Sequence, residues 1–236
     1  MGKKCDDYIS TNKYLASQFK EVYEKKVFIV NNFLNNEQIK VSKKIIKNKK
    51  NKKAKKYFEI GYFSGTPSHI NDFKVVAPEI KNLLDKYKDI KLKVVGFMDF
   101  PEYLNKHVKN KRIVHRPLVN FLDLQKEIAS SDVNIVPLVE NEFTHCKSEL
   151  KFFEAAIVDT VSCTTPTYMF RKNITQGESG FLCKQGEWFD VINKIYKKDF
   201  NRDKIITTAH NYCISKYSPQ SQTENIENIL NEILNN

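Results

Sequence analysis

Residues 132–163, DVNIVPLVENEFTHCKSELKFFEAAIVDTVSC, read as a strand, a helix and a second strand, and that order sets the fold class. DVNIVPL is a short, almost continuous apolar run of the kind found in strands covered on both faces, and TVSC resumes that pattern after the helix. Between them KSELKFFEAAI (147–157) places Leu150, Phe153 and Ile157 on one stripe of a helix. Glu154 falls on the same stripe, four after Leu150 and three before Ile157. A carboxylate facing a core needs a partner. Lys147 and Ser148 are expected to open this helix, so a cation and a hydroxyl flank its positive dipole end, a natural seat for a phosphate. One helix can then hold a diphosphate at its start and a sugar hydroxyl one or two turns later. In the alternative, Glu154 skirts the stripe and pairs at the surface with Lys147 or Lys151, a common and weak arrangement.

Outward from this unit the alternation continues in both directions. Upstream stand strand YFEIGYF, a helix over Asn71–Tyr87, strand LKVVG, a short helix near Glu102, strand RIVH and a helix over Leu122–Ala129. Downstream come a helical turn near Phe170, strand GFLC, a helix over Glu187–Lys197 and two C-terminal helices. About six strands separated by helices predict an α/β fold, a doubly wound parallel sheet covered on both faces. Before this pattern, Thr11 is expected to cap a helix running to about Lys25, and KVFIVNN follows as a short strand.

A chain of 236 residues with 41% hydrophobic residues, 16 Phe and 11 Tyr can bury a real core and is not disordered. No apolar run reaches the length of a bilayer span, and MGKKCDDYISTNKYL has lysines without an apolar block behind them. A cytoplasmic location is expected, with reduced thiols. The five cysteines are far apart, with no CxxC pair and no histidine in ligand spacing, so neither a disulfide framework nor a metal site is expected.

The net charge of +11 is localised. VSKKIIKNKKNKKAKK (41–56) holds nine lysines and no acid, and without it about +2 remains. Four readings compete: a solvated linker or frayed helix, a contact for anionic lipid headgroups, a nucleic-acid patch, and a nuclear localisation signal. A lysine-only run without arginine or interleaved aromatics lacks the forks and stacking planes of nucleic-acid sites, which favours the linker, then lipid, with no nucleic acid expected as a partner.

In doubly wound sheets ligands bind beyond the carboxyl ends of the strands. The first strand of the main pattern ends in Ser64, Gly65, Thr66, Pro67, Ser68 and His69. Gly65 would let a phosphate approach the backbone, with hydroxyls on Ser64 and Thr66; a tight turn with Ser68 as N-cap is the alternative. Gly96 after LKVV is a weaker candidate. His69 is the histidine expected to face the cleft. GxGxxG and GxxxxGK[ST] are both absent, which argues against an NAD enzyme and a P-loop NTPase.

The blocks IGYFSGTPSHINDF, LKVVGF, HRPLVNFLDLQKEIASSDVNIVPL, KSELKFFEAA and RKNITQGESGFLCKQGEWFDVI occur in order between Ile60 and the segment containing Trp188. Together they resemble the nucleotide-sugar-binding C-terminal domain of GT-B glycosyltransferases, in the large retaining group called family 4 or glycosyl transferases group 1. The resemblance implies a Rossmann-like domain, retaining and metal-independent transfer from a nucleotide-diphosphate sugar to a cell-surface glycan or lipid-linked acceptor, and no cofactor. It makes Glu154 the second Glu of an E-x7-E motif, bonding the ribose, with amides at the helix start on the diphosphate. Donor-binding residues are then Gly65, Thr66, Lys147, Ser148, Leu150 and Glu154, with His69, Lys74 and Arg116 as further candidates and catalytic residues unassigned. Cys146 stands where the first Glu would be, Thr66 and His69 replace the usual Arg and Lys, and Asp159-Thr160-Val161 replaces Gly-x-Pro.

Upstream, DDYISTNKYLASQFKEVYEKKVFIVNNFLNNEQI resembles the last helix and strand of the family's N-terminal domain. The expected division is therefore 1–40 as a remnant of that acceptor domain, 41–56 as a lysine-rich hinge, 57–215 as the nucleotide-sugar domain and 216–236 as a C-terminal helix. A complementary N-terminal domain is an expected partner, and the lysine run gives the protein a means of resting on the inner face of a membrane. The rival readings are a nucleotide-sugar-binding module without turnover and an epimerase on the same architecture.

Overall fold

The computed structural model describes residues 5–50 and 55–235. The N-terminal part is a small βαβ unit: β1 (Tyr8–Ser10) pairs in parallel with β2 (Val27–Ile29), and α1 (Lys13–Tyr23) joins them. β1 was not anticipated, because three residues are too few to show alternation. The cap of α1 is Asn12 and not Thr11: its side chain accepts from the Leu15 N–H at 2.8 Å.

Of the linker and the frayed helix expected here, the described part of the lysine run forms a helix. α2 (Asn36–Lys50) begins with a reciprocal cap in which Gln38 N–H donates to Asn35 Oδ1 at 2.8 Å and Asn35 N–H to Gln38 Oε1 at 3.0 Å. Lys40, Lys43, Lys44 and Lys47 share its exposed face, while Gln38 and Ser42 are buried and Ile39 and Ile45 pack on the core. Lys49 turns inward and donates to the carbonyls of Asp159 (2.9 Å) and Val158 (3.3 Å). Burial, reinforced by Arg202, lowers its pKa to about 8. A composition window starting at Val41 hides this amphipathic pattern because half of the apolar anchors lie before it. Residues 51–54 of the lysine run lie outside the described residues.

The apolar runs form the main sheet. It contains β3 (Phe58–Ser64), β4 (Ile90–Gly96), β5 (Ile113–Arg116), β6 (Val133–Val136), β7 (Val161–Thr164) and β8 (Phe181–Leu182), all parallel, in the order β5-β4-β3-β6-β7-β8. The chain builds outward from β3 through β4 to β5, then crosses back to place β6 against β3's other edge, with Ile60 opposite Val133 and Tyr62 opposite Ile135. This is the doubly wound arrangement, and its switch point lies beyond Ser64 and Val136.

Alternate residues of β3 feed two cores. Tyr62 and Ile60 pack with Phe73 of α3 (His69–Lys74), Leu83 of α4 (Ala77–Lys86) and Trp188. Phe63 faces the opposite side, with Ile128, Phe152, Phe153 and Tyr217. The single helix expected over 71–87 is thus two, divided at Val75–Val76 ahead of Pro78, a residue suited to the first turn of a new helix. A 3₁₀ turn (Glu102–Leu104) and α5 (Asn105–Lys109) precede β5, α6 (Phe121–Ser130) precedes β6, and α7 (Glu142–His145) and α8 (Leu150–Ala156) lie between β6 and β7. α9 (Tyr168–Asn173), α10 (Trp188–Lys197), α11 (Arg202–Tyr217) and α12 (Pro219–Leu234) complete the chain. α12 returns to the N-terminal unit, where Asn225 Nδ2 donates to Ile29 O at 3.0 Å and Glu232 pairs with Lys26. The expected boundary at 215/216 therefore falls inside α11, and the break in helix is at Ser218. Among the described residues no helix is long and apolar enough to cross a membrane.

Candidate functional site

α8 is shorter than its sequence suggests. It starts at Leu150, so Lys147 and Ser148 sit on the loop before it instead of opening it, and Glu149 occupies the N-cap position without a side-chain cap bond. Glu149 is drawn inward, where Tyr217 Oη donates to its Oε1. Burial raises its pKa despite that bond.

A cavity of about 200 Å³ opens at the switch point between β3 and β6. Val136, Leu138, Leu150 and Phe170 supply its apolar wall, and His69, Lys147, Ser148 and Lys151 its polar one. His69 enters from the start of α3, the lysines from the α7–α8 loop and α8. Leu150 is 38% exposed and lines the cavity, whereas Phe153 and Ile157 are fully buried, so the expected stripe divides between site and core.

The charges are coupled through Asp72. His69 Nδ1 donates to Asp72 Oδ2 at 2.8 Å, Val139 N–H donates to Asp72 Oδ1 at 3.0 Å, and Lys147 Nζ lies 3.9 Å from Oδ2. Burial alone would raise the Asp72 pKa, but the bonds from His69 and Val139 with Lys147 nearby hold it below the ordinary value. Asp72 thereby joins α3 to the loop after β6 across the crevice. Lys151 donates to Phe63 O at 2.8 Å, and burial lowers its pKa to about 8 against the pull of Asp72 and Glu154.

Glu154 is 9% exposed and has no hydrogen-bond or ion-pair partner among the described residues. Burial raises its pKa to about 7, with Lys151 opposing. The surface pairing with Lys147 or Lys151 is therefore absent: those amines reach toward Asp72 and Phe63 O. A buried carboxylate without a partner has spare acceptor capacity one helical turn from Leu150.

The other expected residues divide. Gly65 and Thr66 sit on the exposed turn after β3, beside His69 but not lining the cavity; Thr66 Oγ1 is 2.9 Å from Ser68 Oγ, and Ser68 makes no side-chain cap bond. Gly96 is required by the packing of the strand ends: it sits at φ +101°, and a Cβ there would lie 1.9 Å from Ser64 O. Lys74 bonds Asn71 Oδ1 at 3.0 Å and lines a separate cavity of about 340 Å³ with Ile70, Asp99, Phe100, Pro101 and Tyr103. Arg116 pairs with Glu127 at 2.6 Å, outside the first cavity. Glu140 pairs with Arg171 at 3.0 Å, Tyr14 donates to Glu142, and neither acid lines the cavity.

Sequence reasoning missed three participants. Asp72 and Lys151 carried no motif signal of their own, although Asp72 stands three residues after His69 on one helix, a spacing that brings side chains together. The third is the N-terminal unit. Asn32 Nδ2 donates to Ser148 Oγ at 2.8 Å and Asn12 Nδ2 to Cys146 O at 2.7 Å, so residues before α2 brace the loop that carries Lys147. Among the described residues no group of three or more His, Cys, Asp or Glu could hold a metal ion.

No family model and no curated protein matches the sequence. Solved structures do match the fold. HepE of Anabaena in complex with UDP-glucose superposes with a TM-score of 0.74 at 14% identity over 98% of this chain and 65% of its own. Sucrose-phosphate synthase from Thermosynechococcus elongatus gives 0.73 at 11% identity, over 98% and 59%. The pneumococcal O-GlcNAc transferase GtfA in complex with UDP and GlcNAc gives 0.70 at 13%, over 100% and 46%. The chain spans about half to two thirds of the length of these proteins, and at such identities the likeness is one of fold. The fold is the doubly wound, Rossmann-like C-terminal domain of the GT-B architecture, with a short N-terminal unit attached.

Proposed function

We propose that this chain binds a nucleotide-diphosphate sugar in the cavity at the β3–β6 switch point and acts as the donor-binding half of a glycosyltransferase. The observation that carries the reading is Glu154, a buried carboxylate without a partner among the described residues, which does not itself line the cavity but lies one helical turn after Leu150, which lines it with Lys147, Lys151 and His69. A diphosphate satisfies the cations, and ribose hydroxyls satisfy the carboxylate. In transfer, Lys147, Lys151 and the loop amides stabilise the charge that develops on the departing diphosphate, which needs no metal. Leu150 packs against the donor, and Gly65 and Thr66 border the approach. The acceptor is a glycan or lipid-linked sugar, and the groups that handle it come from a complementary N-terminal domain. Retention of anomeric configuration follows the resemblance. The lysine face of α2 rests on anionic lipid, at about 1 kcal/mol for each lysine near the surface.

Titration calorimetry in EDTA with UDP, GDP, ADP and their sugars tests the core of this reading. Micromolar to millimolar binding of at least one supports it, and no binding to any refutes it.

Cys146 favours a second reading, a module that holds a nucleotide sugar without turnover, because the position of the sugar-side carboxylate is a thiol whose backbone carbonyl is engaged by Asn12. Radiolabelled donor, with and without a candidate N-terminal partner, separates the two. Isomerised free sugar would point instead to an epimerase.

A further inference from the structure

His69 is the titratable member of the cavity whose surroundings are most closely specified. Its Nδ1 is committed to Asp72, its backbone carbonyl accepts from Tyr62 Oη at 2.6 Å, and its side chain is 12% exposed. Nε2 has no hydrogen-bond partner among the described residues, on a residue that lines the cavity. The groups facing the imidazole are Asp72 from α3, Tyr62 from β3, Lys147 from the α7–α8 loop and Lys151 from α8, and Lys151 in turn feels the charge of Glu154. An arginine at this position would carry its charge at every working pH, whereas an imidazole does so only when its surroundings favour the proton.

We propose that His69, oriented by Asp72, takes up a proton from solvent on Nε2 when a nucleotide-sugar diphosphate enters, and donates it in a hydrogen bond to a phosphate oxygen. This rests on the donor-binding reading above and adds a pH dependence to it. In the empty cavity Nδ1 carries the ring's proton and donates to Asp72. That bond pulls the His69 pKa up, but burial and the positive charges of Lys151 and Lys147 outweigh it, and the balance lies below the ordinary value. The diphosphate reverses the balance by placing negative charge beside the ring and neutralising the two lysines. Asp72 is a positioning residue: it fixes the tautomer that leaves Nε2 open to the cavity, and through Val139 it fixes the ring relative to β6. Because the pKa is raised in the complex, the contribution of His69 to binding is fully present at low pH and is lost as pH rises through the bound-state value.

The test is calorimetric titration of the full chain with UDP-glucose, GDP-mannose and ADP-glucose between about pH 6 and pH 8, in buffers of differing ionisation enthalpy. These diphosphate diesters do not titrate in that range, so any proton exchanged belongs to the protein. The expected result is that the wild type takes up as much as one proton more than His69→Gln, a difference in which release from Glu154 and uptake by Lys151 cancel, with the ratio of the two affinities changing up to about tenfold per pH unit where that difference is complete. His69→Gln should retain only the proton exchange of Lys151 and Glu154, and His69→Arg should bind more tightly than His69→Gln with that same residual exchange. Asp72→Asn should shift the profile toward lower pH, which a purely structural role would not do. Thermal melting confirms that each variant is folded.

Uptake as large in His69→Gln as in the wild type overturns the proposal and points to Lys151; Glu154 contributes release in both, because it binds hydroxyls as the carboxylate. Net release of equal size in the wild type and His69→Gln overturns the proposal and leaves donor binding intact. No binding of any nucleotide sugar at any pH refutes the donor-binding reading itself.

Discussion

Replacing Glu154 by Gln should strengthen the fold and weaken the site. The carboxylate is 9% exposed, has no partner among the described residues, and burial raises its pKa from 4.5 to about 7. That rise corresponds to about 3 kcal/mol of differential cost for burying the charged form. For an acid whose folded pKa lies above its unfolded value, the native state binds the extra proton between the two. Stability therefore falls as pH rises from about 4.5 to 7 and is flat above. At pH 8 the full cost is present. Glutamine removes the charge but keeps an amide with unmet hydrogen bonds, so the net gain for Glu154→Gln should be about 2 kcal/mol at pH 8, vanishing near pH 4.5. Binding of a nucleoside diphosphate should move oppositely, weakening by about 1–3 kcal/mol through loss of charge-assisted bonds to ribose hydroxyls. Urea unfolding at the two pH values reads the first effect and calorimetry reads the second, with inorganic diphosphate as a control that should bind both forms alike. A variant that is less stable at pH 8 would show that Glu154 has a native partner. Equal weakening for both ligands would show that it supports the loop and does not read the ribose.

Three further outcomes follow from particular contacts. Gly96→Ala, with φ at +101° and a Cβ 1.9 Å from Ser64 O, should cost more than about 3 kcal/mol; an unchanged melting temperature would refute the close packing of the β3 and β4 ends. Asp159→Gly should stay within about 1 kcal/mol of wild type in urea titrations, because relief of its left-handed backbone (φ 54°) offsets loss of the His210 bond at 3.2 Å, and a loss above about 2 kcal/mol would contradict that balance. Changing Lys40, Lys43, Lys44 and Lys47 of α2 to Gln should abolish co-sedimentation with anionic vesicles at low salt and leave nucleotide affinity unaltered, since all four point away from the core. Wild-type protein that ignores such vesicles would end the lipid role, and a loss of nucleotide affinity would place α2 on the cavity.

The N-terminal unit gives the site a physical boundary. Asn12, Tyr14 and Asn32 hold the stretch from Glu142 to Ser148, and α12 ties the same unit back to the chain's end through Asn225 and Glu232. Motion of the unit would move Lys147 and Ser148 against His69, which belongs to the main domain.

The sequence by itself determined the sheet and the doubly wound class, and put Glu154 on an apolar stripe whose burial the structure then decided. Those properties are written in short-range periodicity: apolar runs such as LKVV and DVNIV make covered strands wherever they fall, and a glutamate between Phe153 and Ile157 must lie near a core face. Local signals for the rest were present but ambiguous. Asn35 and Gln38 mark a helix start that the lysine composition concealed, and Glu149 looks like a first-turn acid until Tyr217 draws it inward. Only the tertiary structure decided which strand ends share a cavity. His69 meets Lys147 and Lys151 because β6 crosses back to β3, whereas Lys74 and Arg116, equally plausible in sequence, are carried away by α3's far face and by β5 at the sheet edge. Periodicity records how one element faces a core, but strand order depends on the combined packing of all of them, and so does the electrostatic field that sets the charge on His69, Lys151 and Glu154.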